Sequence, residues 1–129
     1  MNTLIPGLPL NITDLTLDHL PVPAAQVAEG APTTGLHGLG RLGDLGVGVW
    51  EMSTGSMNDT EADELFLVVS GSATVEFHHD DAHDAAGTAV PLAPGSLMLL
   101  SAGMRTTWTV HETLRKLYLT PERESSDAE

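Results

Sequence analysis

The chain contains no cysteine, which excludes disulfides, thiolate zinc sites and cysteine nucleophiles. Basic residues are nearly as scarce. Only 5 Lys and Arg stand against 18 Asp and Glu in 129 residues, a formal net charge of −13, and Lys116 is the sole lysine. A surface of that sign repels phosphates, so neither nucleic acid nor an anionic membrane surface is an expected partner. Aromatic residues make up only 4% of the chain, so a core must be mainly aliphatic. No apolar run approaches the roughly 20 residues that span a bilayer. The opening MNTLIPGLPLNITDL has neither a basic start nor a long apolar stretch, so no signal peptide is expected. The expected location is cytoplasmic, and the acidity suits a bacterial setting.

Turn-forming residues, by contrast, are abundant: 13 Gly and 8 Pro in so short a chain favour many short strands over a few long helices. Residues 1–30 read as an N-terminal arm, with a short strand around Ile12 to Leu17 and an extended stretch through Pro21 and Pro23. Proline cannot donate to a ladder, so such an arm belongs at a sheet edge. Gly35, Gly38, Gly40, Gly43 and Gly46 read as a Gly-rich hairpin with closely approaching backbones, because neither a preceding strand nor a following helix supports a dinucleotide loop.

Strands then follow one another. Val47, Val49 and then Trp50 to Met52 form one, and Leu65 to Val69 reads as a strand buried on both faces. Ser70-Gly71-Ser72 is a turn, and Ala73 to Phe77 alternates. After a polar loop from His78 to Gly87 come Ala89 to Leu92, Leu97 to Leu100, Thr106 to Val110 and Leu114 to Leu119. The pattern predicts an all-β, antiparallel sandwich or barrel over 31–120 and a charged, disordered tail over 121–129.

Two stretches resemble the paired motifs of the cupin superfamily, whose fold is an antiparallel double-stranded β-helix, or jelly roll. Glu64 and Gly71, in ELFLVVSG, have the spacing that ends the first motif. LAPGSLMLLSAGMRTTWTVHE keeps the spacing of the second through Gly95, Gly103, Thr106 and Val110. More narrowly, GVWEMSTG, DELFLVVSG, PGSLMLLSAG and TWTVHETLRKLY resemble the small single-domain cupins grouped with (S)-ureidoglycine aminohydrolase. That enzyme is built from two cupin domains and uses manganese to release ammonia from a ureido acid.

The resemblance implies a metal held by His side chains and one Glu. Counting back from Glu64 puts Asn58 and Thr60 at the first-motif His positions, or Met57 and Asp59 with the longer gap, and the second-motif His is Thr106. Of the archetypal ligands only Glu64 remains, so no cofactor is assigned. A divalent metal, manganese by family, is kept as the alternative with Glu64 as its candidate ligand. Counting forward from Gly55 instead puts Glu61 and Asp63 at those positions but misplaces Glu64, and the DTEADE segment reads as a solvated loop. The run His78-His79-Asp80-Asp81-His83-Asp84 has imidazoles enough for Zn or Ni but reads as an exposed hairpin loop with adventitious affinity. His19 and His37 read as surface or turn histidines.

Strand alternation places Thr106, Trp108 and Val110 inward with His111 outward, and Glu64, Phe66 and Val68 on one face. Asn58, Thr60, Glu64, Thr106, Trp108 and Tyr118 are therefore the candidate pocket residues, Trp108 doubling as core. Lys116 shares a strand face with Tyr118, and a buried lysine needs a carboxylate, the candidates being Glu51, Glu64 and Glu112. Glu64 and Lys116 are the candidate catalytic residues, and a plain ion pair is the structural alternative. The expected function is a small-molecule-binding cupin working as a homodimer. The alternatives are a manganese-type aminohydrolase-like enzyme and a non-catalytic structural or partner module.

Overall fold

The computed structural model describes residues 3–78 and 88–122. Nine strands are described: β1 His19–Pro21, β2 Val27–Glu29, β3 Thr33–Leu42, β4 Leu45–Met52, β5 Gly55–Thr60, β6 Glu64–Phe77, β7 Ala89–Leu92, β8 Leu97–Leu100 and β9 Arg105–Pro121. A single 3-10 turn, Ala24–Gln26, precedes β2. All the pairings are antiparallel, and the sheet curls into the jelly-roll barrel expected of a cupin.

Two long strands organise the barrel. The first half of β9 pairs with β5 and its second half with β4, while its other edge runs along nearly all of β6. The ends of β6 pair in turn with β8 and β7. Thr106, Trp108, Val110, Leu114 and Lys116 of β9 are buried on the inner face, whereas His111 and Glu112 are exposed.

β6 behaves differently. Phe66 and Val68 are buried, then Ala73, Val75 and Phe77, so its inward parity changes from even to odd. Ser70-Gly71-Ser72 is therefore not a turn between two strands but a bulge within one, marked by register shifts against β9. Gly71 sits at φ 87, and a Cβ there would strike the Thr113 carbonyl, so only glycine fits. The run Leu65 to Val69 is not buried on both faces either. Leu65 and Leu67 face outward and are each 37% exposed.

Residues Ile12 to Leu17 do not form a strand. The strand of the arm is His19–Pro21, on the β3 edge. Leu15 and Leu17 instead pack on the outer face of the sheet against Leu39 and Val49, with Ile12 and Leu117 beside them. Each buried leucine contributes about 2 kcal/mol by removing apolar area from water. Arg115 fastens the arm further, donating from Nη1 to the Ile12 carbonyl at 2.8 Å and pairing with Glu51 at 2.9 Å. Glu51 also meets His19 at 2.7 Å, whose other ring nitrogen bonds Thr33. His19 is thus a knot between arm and sheet, not a free surface histidine.

β3 and β4 form the expected hairpin, turning at Gly43, whose φ of 59 suits a two-residue loop. At the other end Pro121 still belongs to β9, and Glu122 pairs with Arg41 at 3.0 Å. The rest of the tail, from Arg123, and the His-Asp run from His79 to Asp84 lie outside the described residues. Among the described residues, no helix is long and apolar enough to cross a membrane.

Candidate ligand-binding site

Inside the barrel, between β4, β5, β6 and β9, lies a cavity of about 360 Å³ lined by Trp50, Asp59, Glu61, Glu64, Lys116 and Tyr118 among others. Register explains how these residues meet. Trp50 and Val68 flank Lys116 from either side of β9, and Phe66 pairs with Tyr118.

The Lys116 ammonium sits at the centre of an aromatic cage, 4.6 Å from the Trp50 ring centroid, 4.5 Å from Phe66 and 4.7 Å from Trp108. All three distances are within cation–π range. Trp108 is tilted against both other rings, with centroids 5.8 and 5.7 Å away. Of the three carboxylates the sequence offered, the lysine takes Glu64: Nζ lies 2.7 Å from Oε2. The approach is off the direction of a hydrogen bond, so this buried oxygen has no hydrogen-bond partner and is held by charge alone.

Glu61 is the residue that sequence reasoning missed. It is not solvated but 8% exposed, and its Oε2 accepts from Thr106 Oγ1 at 2.6 Å and Trp108 Nε1 at 2.9 Å. Its backbone is clamped by the β8–β9 turn, the Glu61 N–H donating to Met104 and its carbonyl accepting from Gly103. The signal that could have found it was the forward count from Gly55, which gave Glu61 a motif position. Asp63, the other residue of that count, instead caps the Ala102 N–H at 2.8 Å.

Asp59 completes an acidic wall. Desolvation by burial, and then the charge of Glu61, push its carboxyl up to about 6, against smaller lowering contributions from the Thr60 N–H and Lys116. Tyr118 lies over Gly48 and Glu122 over Gly46. Two glycines of the hairpin thus leave room for two polar side chains. Burial, and then Glu122 and Glu64, raise the Tyr118 phenol above its ordinary value.

Of the sequence-proposed pocket residues, Glu64, Trp108, Lys116 and Tyr118 line one cavity, and Thr106 joins it through its bond to Glu61. Asn58 and Thr60 do not. Both are exposed and border a separate surface depression with His78 and Arg105. Asn58 accepts from Thr107 at 2.7 Å, and Thr107 also bonds His78. The inward residues of β5 are Met57 and Asp59, so the longer first-motif gap is the one the barrel uses.

Comparison with known families matches residues 39–118 to the EutQ-like cupin domain. The chain belongs to that family. Solved structures agree on the fold of this EutQ-like cupin. The EutQ protein of Clostridium difficile has a TM-score of 0.67 at 18% identity, covering 88% of this chain and 85% of that one. A Pseudomonas syringae pv. tomato protein of unknown function has a TM-score of 0.66 at 17% identity, covering 82% of this chain and 44% of that one. A putative ethanolamine utilization protein of Salmonella typhimurium gives 0.55 at 18% identity, with 68% of each chain covered. Identities this low establish the fold alone. No curated protein matches the chain.

The motif positions of this EutQ-like cupin do not fit a transition metal. In the register the barrel adopts they carry Met57, Asp59, Glu64 and Thr106, with no imidazole among them. The Thr106 hydroxyl is spent on Glu61 and the Glu64 charge on Lys116. Among the described residues, no three His, Cys, Asp or Glu side chains converge as a metal site.

Proposed function

We propose that this EutQ-like cupin is a cytoplasmic small-molecule-binding protein, working without a transition metal, whose ligand is a small organic cation such as a primary amine. The balance of charge in the cavity carries this reading. Asp59, Glu61 and Glu64, with Glu122 also on the lining, face one ammonium, and that ammonium is already paired with Glu64. An anionic ligand would meet uncompensated carboxylates, whereas a cation would find Asp59 and Glu61 beside the Trp50 and Trp108 rings. The Salmonella relative, a putative ethanolamine utilization protein, is in keeping with an amine.

The Mn-dependent aminohydrolase reading is not favoured by any contact in the cavity. The pairing of Glu64 with Lys116, among three rings, supports a binding role.

Thermal-shift titration at pH 7.5 with propylamine, ethanolamine, glycerol and acetate tests the proposal. At ten times its Kd an amine is expected to add about 1.4 kcal/mol, or roughly 5 °C in a chain of this size. Protonating Asp59 removes one of the attracting charges, so the shift should shrink at pH 5. Stabilisation by acetate and not by the amines would reject the cationic ligand class.

A further inference from the structure

The resemblance of this fold to metal-binding cupins leaves a physical question. A barrel interior with several carboxylates needs a compensating cation, and the residues at the motif positions do not hold a metal. The geometry supplies an answer within the chain itself. We propose that the Lys116 ammonium is a built-in replacement for the metal ion: it takes the charge-balancing position on Glu64 and thereby keeps divalent metals out of the barrel.

Three observations carry this. Glu64 is the only residue matching the family's ligand pattern, and its partner is the Lys116 Nζ at 2.7 Å. A metal bound to a carboxylate oxygen lies at about 2.0–2.2 Å, so a cation on Oε2 and the ammonium would compete for one oxygen and one charge. The contact is not a directed hydrogen bond, so Oε2 is bound as it would be by a point charge. Lys116 is also placed for this role. Its side chain is only 6% exposed, and rings on three sides hold the head group where water would otherwise solvate it. Its charge extends to Asp59, whose carboxyl it helps to lower against Glu61 and Glu64. The inference does not depend on the ligand class proposed above.

Because Lys116 is the sole lysine, the wild-type protein can report on itself. With lysine labelled with ¹³C and ¹⁵N, the ε-methylene and Nζ signals belong to one residue. The expected spectrum shows ε protons shifted upfield by the three rings and unbroadened by equimolar Mn²⁺. A random-coil position, or paramagnetic broadening at one equivalent of Mn²⁺, would overturn the proposal.

Variants separate charge from packing. Lys116→Met keeps most of the volume and strands the Glu64 charge, so its melting temperature at pH 7.5 should fall well below wild type. Lys116→Met/Glu64→Gln should recover at least half of the loss, and Mn²⁺ should stabilise the single variant but not the double. Equal melting temperatures for the two variants would reject a charge-balancing role. Folding of the double variant where the single one fails would support it, and if neither folds the wild-type spectrum decides.

Discussion

Asp59 shows how a single side chain can be assigned to the wrong face by spacing alone. Both first-motif registers are compatible with Glu64, and only the barrel shows that the odd-numbered residues of β5 turn inward. Once inside, Asp59 bears a cost. Its carboxyl is raised from 3.8 to about 6, so between those values the folded chain holds a proton that the unfolded chain has released. Stability contributed by that proton is present at low pH and lost as pH rises through about 6. Asp59→Asn should therefore raise the melting temperature at pH 7.5 and change it little at pH 4. The residue is only partly buried, so the gain is discounted for screening to about 1 kcal/mol, or roughly 4 °C. Melting curves at the two pH values check this, and a larger gain at pH 4 would contradict the assigned direction. The Lys116 contact is the opposite case. A lone lysine on a strand of Leu, Tyr and Leu had to find an acid, and the sequence supplied a short list that included the right one.

At the scale of elements, the strand positions were legible where they alternate, as in Ala73 to Phe77 and Thr106 to Val110. What was not legible was that neighbouring strands are continuous. Ser70-Gly71-Ser72 carries an ordinary turn signal and the apolar pattern lapses over His111-Glu112-Thr113, yet β6 and β9 run through them as a paired ribbon. The distinction depends on the partner: Gly71 is squeezed against the Thr113 carbonyl of β9, a contact between residues far apart in the chain. Gly71→Ala should consequently cost about 2 kcal/mol or more, combining a positive φ with a backbone collision. A lowered urea midpoint checks it, and an unchanged midpoint would mean the bulge relaxes freely. Because the bulge flips the inward parity of β6, it also sets which residues reach the cavity. Glu64 and Phe66 face the lysine only because the even register holds below Gly71.

At the scale of the molecule, the outer face of the sheet is covered unevenly. The arm hides Leu39, Val49 and Leu117, whereas Leu97 and Leu99 on β8 are 66% and 70% exposed beside the half-exposed Leu65 and Leu67. On a chain of net charge −13 an uncharged leucine patch is where two copies can approach with least repulsion. This supports the proposed homodimer. Sedimentation velocity is expected to show a dimer for the wild type and a monomer for Leu97→Asp/Leu99→Asp, with the circular dichroism unchanged. A dimer surviving both substitutions would place the contact elsewhere.

The sequence by itself determined the class of fold, the absence of thiol chemistry, the acidic character and the loss of the imidazole ligands. The first three rest on composition and alternation and the last on short motif spacing read through the cupin resemblance, all of them local properties. Tertiary structure decided which carboxylates enter the barrel, that Glu61 bonds Thr106 and Trp108, and that the lysine stands in a cage of three rings. Each of these depends on strand register and on one bulge, because a shift of one residue exchanges the inner and outer faces. Register here is fixed by contacts across β4, β5, β6 and β9, which no single stretch of the chain contains.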